Sequence, residues 1–284
     1  MKVIFSRKGF DSQYGGVPNA VLPNGQMVPF PIPDGRSIVT ADAIRRGGEV
    51  VGAMVEQLTR GQMSRDYAAH LDPDLDPGAY PREPGWRPVL GQTDAALGHL
   101  EKQGVGAGDL FLFFGWYRPV ERKGPVWAYV QGVPPVHAIW GWLHVGSCFD
   151  HTAVPPDFRP WLAYHPHLQR SHRKRHLLYA ASDFMEVGGH RLAAGGIFPR
   201  FSDRRVLSAS GMNMSVWDVP GWMHPEASQV SFSYIHAPER WAHSGRGGAL
   251  VKTVGKGQEI VMTPGSGAPL QDWLAGIFED VTPG

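Results

Sequence analysis

The longest apolar runs of the chain lie near its middle, in GDLFLFFGWYRPVERKGPVWAYVQGVPPVHAIWGWLHVG at 108–146. LFLFFGWY and HAIWGWLHV are short, aromatic or β-branched, and broken by glycine, which argues for two buried strands rather than helices. VWAYV at 126–130 reads as a third strand between them, bounded by the polar turn 118–125 and the loop 131–135. Further strands are predicted at 3–5, 177–182 and 259–262, with brief ones at 196–198 and 206–208. Helical spacing appears three times. Val50, Val51, Met54, Val55 and Leu58 make one apolar stripe within 49–60, which Gly61 ends. Ala96, Leu97 and Leu100 form another after Thr93, an N-cap candidate, with Gly104 as the stop. The segment 269–280 closes the chain as an amphipathic helix, with Pro269 suited to a first turn. Segments 65–88, 149–176 and the stretch around Trp217 and Trp222 read as loops. The expectation is therefore an α+β fold in one domain spanning 1–284. Its centre is a mixed or antiparallel β-sheet or barrel, with a few peripheral helices and many loops.

Composition narrows the function more than the fold. A charged content of 19% and a net charge of +1 exclude a strongly basic nucleic-acid binder and leave room only for a local patch. The single cysteine, Cys148, excludes a disulfide framework and a cysteine-based zinc site, which predicts a reducing cytoplasm. MKVIFSRKGF turns charged after three apolar residues, so no secretory leader is expected, and no apolar run reaches membrane-spanning length. Thirteen histidines in a loop-rich chain direct attention to metal binding or proton transfer.

The densest chemistry is His70-Leu71-Asp72-Pro73-Asp74-Leu75-Asp76. In an extended segment His70, Asp72, Asp74 and Asp76 project to one side, a pattern suited to a divalent cation or to paired carboxylates sharing acid and base roles. Turn formation by the Asp-Pro pairs is the competing explanation, and Asp76 fits it best. His165-Pro166-His167 holds two rings on a stiffened backbone. With His70 and Asp72 it would complete a two-histidine, one-carboxylate site for iron or zinc; otherwise its rings are simply solvated. His137 and His144 lie seven residues apart on opposite faces of a strand, and His137, at the strand entry, is the better catalytic candidate. Arg7, Lys8 and Asp11 follow the first strand in a glycine-rich turn, where Lys8 is placed for substrate contact and Asp11 for catalysis or turn chemistry. Gln92 and Arg118 could hold an amide, a base edge or a phosphate, and Trp116 or Trp140 could stack a base. The run from Arg170 to His176 is the one dense basic patch in the sequence.

SRKGFDSQYGG, HLDPDL, the GQ and HL run at 91–100, GDLFLFFGWYR, HAIWGWLHVG and HPH together resemble the family called nucleotide modification associated domain, type three. The resemblance covers most of positions 4–241. It implies a bacterial or phage protein with a role in DNA base modification. It marks Lys8, Asp11, His70, Asp72, Asp74, Gln92, His99, Arg118, His137, His165 and His167 as shared polar positions. GVGAGDLFLFF followed by HAIWGWLHVG is also similar, over about forty residues, to small PUA-like and EVE-like β-barrels that read bases.

Three functions compete on these grounds. The leading one is a nucleotide or DNA base modifying enzyme with a His/Asp active site, acting on a nucleotide, a nucleobase or a related small substrate. A second is a metal-dependent oxygenase or hydrolase of a peptide or small metabolite, using iron or zinc. A third is a non-catalytic nucleic-acid binding module centred on the basic run. None of them calls for a membrane.

Overall fold

The two central apolar runs form long antiparallel strands, Leu110–Lys123 and Val136–Asp150. The structure, a computed structural model, describes residues 1–169, 174–227, 230–245, 247–254, 259–266 and 269–282. Leu110, Leu112 and Phe114 enter one core with Ile139 and Trp142, while Phe111 and Phe113 enter a second core with Ala138, Trp140 and Leu143. Both faces of the pair are therefore covered, which explains runs that are apolar without alternation. The register slips where Phe113 faces Gly141 and Phe114 faces Ile139. Because of that bulge Trp140 and Trp142, two residues apart, go to different cores.

Around this pair a mixed sheet assembles. Its main path runs Ser231–Phe232, Glu259–Thr263, Val3–Arg7, Leu110–Lys123, Val136–Asp150, His176–Ala181 and Val89–Thr93. Val3–Arg7 pairs in parallel with Leu110–Lys123, Phe5 opposite Leu112, and antiparallel with Glu259–Thr263, Ser6 opposite Glu259. The α+β expectation with a mixed central sheet is met; the barrel alternative is not, because the path stays open at Ser231–Phe232 and Val89–Thr93. Among the described residues there are four α-helices: α1 (Val51–Leu58), α2 (Asp94–Lys102), α3 (Arg159–Leu162) and α4 (Leu270–Ile277). None of them is long and apolar enough to cross a membrane.

Local differences from the sequence reading have local causes. The first central strand continues through Lys123, and the expected turn shrinks to Gly124 and Pro125, with Gly124 at φ +64°. Thr93 does not cap α2 with its side chain; its Oγ1 donates instead to the Arg175 carbonyl at 3.0 Å. The stretch read as a loop around Trp217 contains the strand Val216–Pro220, which joins Gly248–Lys252 and Trp241–His243 in a separate three-stranded sheet. Val216–Pro220 pairs with a strand about thirty positions away, and Trp241–His243, though it pairs with the nearby Gly248–Lys252, is only three residues long, so neither carries a periodic signal. Trp217 and Trp241 are buried against the first core. The segment 149–176 is not a solvated loop either: Trp161, Leu162, His165 and His167 are buried.

His137 belongs to this frame. Its Nδ1 accepts a hydrogen bond from Trp217 Nε1 at 3.1 Å, and Phe114 packs edge-on to its ring. Indole nitrogen only donates, so this contact needs an unprotonated Nδ1. Burial, with a smaller push from the Arg7 charge, lowers the His137 pKa to about 4. Between that value and the ordinary 6.5 the unfolded chain binds the extra proton, so stability is lost as pH falls through this window. The His137 share of that loss should reach on the order of 3 kcal/mol between pH 6.5 and pH 4, read from urea titrations as the difference between the unmodified chain and His137→Gln. His137→Gln, whose amide oxygen can still accept from Trp217, should flatten that part of the profile.

Candidate functional site

The first polar constellation forms where two loops meet the Val89–Thr93 strand. Asp72 has a side chain only 3% exposed. Its Oδ1 accepts the Gly91 N–H at 2.7 Å. Its Oδ2 faces His70 Nε2 at 3.7 Å and His167 Nε2 at 3.5 Å. His165, fully buried, stands on the other oxygen with Nε2 3.3 Å from Oδ1, without the alignment of a hydrogen bond. Burial alone would raise the Asp72 pKa, but the imidazoles of His165, His167 and His70 outweigh it and hold the carboxyl well below the usual carboxylate range. His167 is pushed down to about 4, chiefly by burial, against the pull of Asp72. The centre therefore holds a carboxylate facing a neutral His167 at neutral pH.

The outer nitrogens of the two facing rings are also tied. His70 Nδ1 donates to Asp34 Oδ2 at 2.9 Å, and His167 Nδ1 lies 2.9 Å from His176 Nδ1. A proton on Nδ1 of each ring would leave both Nε2 lone pairs free for an ion, whereas with no ion bound an Nε2–H facing Asp72 is the form that stabilises its carboxylate. One oxygen and two nitrogens from His70, Asp72 and His167 all lie within 4.8 Å of one another, as in a grouping able to hold a metal ion. The separations of 3.5 and 3.7 Å exceed ordinary N–H···O distances. They match the spacing of neighbouring ligands around an ion with bonds of about 2.0–2.2 Å. Outer partners such as Asp34 and His176 are what fix the tautomer of a ligating histidine.

Gly91 makes this approach possible. A Cβ there would lie 2.3 Å from His167 Cδ2, so no larger residue fits between the strand and the ring.

A cavity of about 540 Å³ opens onto the centre. His70, Asp72 and His167 border it on one side; Lys8, Gln92, His99 and Glu259 border it elsewhere. The lining comes from the carboxyl end of the Val3–Arg7 strand, the Val89–Thr93 strand and the first turn of α2, and the start of Glu259–Thr263. Lys8 Nζ donates to Glu259 Oε1 at 3.1 Å, and Gln92 Nε2 donates to the same oxygen at 2.6 Å.

The residues singled out in the sequence divide clearly. Lys8, Asp11, His70, Asp72, Gln92, His99 and His167 line one cavity, and His165 supports it from behind. Asp11 also does turn work, accepting the N–H groups of Gln13 and Tyr14 and lying 3.6 Å from Arg7. Asp74 turns away. Fully buried, it takes both Arg82 Nη1 and Nη2 at 2.7 and 2.6 Å, the Tyr164 hydroxyl at 2.7 Å and Trp86 Nε1 at 3.1 Å. This knot anchors the 70–76 loop to the segment carrying His165 and His167. Asp76 pairs with Arg46 at 2.6 Å. Arg118 donates to the Val130 carbonyl at 2.7 Å, and neither it nor Trp116, Trp140 or His137 borders the cavity. His144 binds the Ser182 hydroxyl at 2.7 Å.

Residues 170–173 of the basic run lie outside the described residues. Beyond them Lys174 pairs with Asp94, Arg175 with Glu101 and Asp150, and His176 is buried. Sequence reasoning missed Asp34, Gly91, Glu259 and Tyr234. Asp34 carried only a turn signal, and Glu259 none beyond its place at the start of a strand.

A second grouping able to hold an ion combines a buried His224 with exposed Glu226 and His243, and His224 Nδ1 already accepts the Glu226 N–H at 3.2 Å.

An open mixed sheet with a buried His–Asp constellation at its strand ends defines an α+β protein with a candidate ion-binding centre. The chain belongs to the family described as nucleotide modification associated domain 3, whose model matches residues 2–263. That membership gives it a role associated with nucleotide modification. No curated protein and no solved structure matches the chain.

Two substitutions check this geometry. Arg82→Met leaves the Asp74 carboxylate buried without its cation and should cost about 3–5 kcal/mol, read from the urea midpoint. Gly91→Ala should displace the His167 ring, read as a shift of its imidazole NMR resonances, while far-UV dichroism keeps the native form.

Proposed function

We propose that the chain is an enzyme of nucleotide or nucleobase modification, with His70, Asp72 and His167 holding a divalent cation at its reaction centre. One observation carries this reading. The three ligand atoms converge within 4.8 Å beside a large polar cavity, and both imidazoles are oriented from behind by Asp34 and His176. Two histidines and one carboxylate with the cavity side left open favour iron or zinc over magnesium. A divalent ion there supplies Lewis-acid polarisation of a substrate group.

The chain's own residues do the rest. Asp72 contributes the negative charge, held by the Gly91 N–H and by His165. Asp34 and His176 hold the His70 and His167 rings from their Nδ1 sides. Lys8 and Arg7 stand on the cavity wall, each paired with a carboxylate, Glu259 and Asp11, so an anionic substrate group would meet them only in exchange for those partners. Asp11 orients Arg7, and Gln92 orients Glu259. A base within duplex DNA would have to be flipped out to enter. The pairing of Lys174 and Arg175 with acidic neighbours gives a purely electrostatic nucleic-acid module less support than an enzyme.

Protein purified without added chelator should carry iron or zinc at close to one ion per chain by elemental analysis. His70→Ala, Asp72→Ala and His167→Ala should each abolish that stoichiometry, and Asp34→Asn should weaken affinity by roughly 10–100-fold. Full occupancy in Asp72→Ala would sink the reading.

A further inference from the structure

The cavity has a polar feature that the centre does not use. Glu259 is 1% exposed and borders the cavity. Lys8 and Gln92 both bind its Oε1, while its Oε2 has no hydrogen-bond partner among the described residues. A carboxylate paired with lysine only accepts, so its second oxygen can be satisfied only by an incoming donor. Leaving such an oxygen buried and unpaired is costly, which makes the site selective for whatever supplies that donor. The atom is closed to water. A ligand therefore reaches it by shifting a neighbouring side chain, and the discrimination is made in a dry setting.

A second observation comes from Tyr234. Its backbone sits at φ +63°, a region that bulky side chains rarely adopt. There its ring stacks on His99, with centroids 4.2 Å apart and planes 27° from parallel. The residue lines the cavity and remains 39% exposed. Backbone strain that presents an aromatic ring to the same cavity as an unsatisfied buried acceptor is the kind of outlier that marks a ligand clamp.

We propose that this end of the cavity reads a nucleobase carrying an amino group, which stacks on Tyr234 and donates from that amino group to Glu259 Oε2. The inference rests on the nucleotide-modification reading and narrows its substrate class. Cytosine, adenine and guanine present an amino donor next to an acceptor. That pair matches Glu259 beside the Lys8 ammonium. Uracil and thymine also set an N–H beside an acceptor, but that N–H is a ring atom held between two carbonyls, one of which would face the carboxylate, whereas an exocyclic amino group reaches out past its ring acceptors. The base could come from a free nucleotide or from single-stranded nucleic acid, where stacking on aromatic rings is the common mode of capture.

Titration calorimetry of the full chain with CMP, AMP, GMP, UMP and TMP, and with short oligo(dC) and oligo(dT), decides the matter. At least one amino-bearing ligand should bind about tenfold or more tightly than its uracil or thymine counterpart. The arm that binds more tightly identifies the source. Glu259→Gln, which can donate as well as accept, should compress the ratio to within about threefold without changing metal content. Tyr234→Gly relieves the positive φ, so it should fold, and it should weaken every base by about tenfold. Equal binding of UMP and the amino-bearing nucleotides overturns the proposal. So does a preference that survives in Glu259→Gln, or no binding in either arm. Metal loss with base preference kept would instead count against the metal centre alone.

Discussion

The structure depends most on one buried carboxylate. Asp72 sits where the 70–76 loop, the 165–167 segment and the Val89–Thr93 strand converge, and it contacts all three. A charge in that position is tolerable only because a backbone N–H and three imidazoles surround it. Two other requirements follow from it. Gly91 has to lack a side chain so that its amide and the His167 ring can share the space. The flanking loops have to be pinned, and the Asp74–Arg82–Tyr164 knot pins them.

This explains why two acidic residues two positions apart have different fates. Asp72 faces imidazoles across gaps wider than a hydrogen bond, whereas Asp74 is closed on every side by donors at 2.6–3.1 Å. Burial raises the Asp74 pKa and the histidines lower that of Asp72. The same residue type thus acts as a strut in one place and lines the cavity among histidines in the other, and the surroundings alone decide which.

Much of the frame was legible in the sequence because it rests on local patterns. The central strands announced themselves by apolar runs, α1 and α2 by their 3.6-residue stripes, and the His70–Asp72 and His165–His167 pairs by residue type. What could not be read was contact between distant segments. Asp74 looked equivalent to Asp72 until Arg82 and Tyr164 were seen to enclose it. His137 looked like a strand-entry catalyst, but its neighbour is Trp217, on a strand that has no periodic signal. Glu259 is one acid among many in the sequence, and only its pairing opposite Ser6 places it beside Lys8.

That pairing has a consequence for how the molecule comes into being. The Val3–Arg7 strand that leads into Lys8 lies between Leu110–Lys123 and Glu259–Thr263, so its two neighbours are separated from it by more than a hundred and more than two hundred and fifty positions. Such contacts carry a large loop-closure cost and form slowly. During synthesis the first strand emerges long before the last one exists to flank it. The cavity therefore gains its final wall only when nearly all of the chain is available, and a ligand that bridges Lys8 and Glu259 would report that the fold is complete.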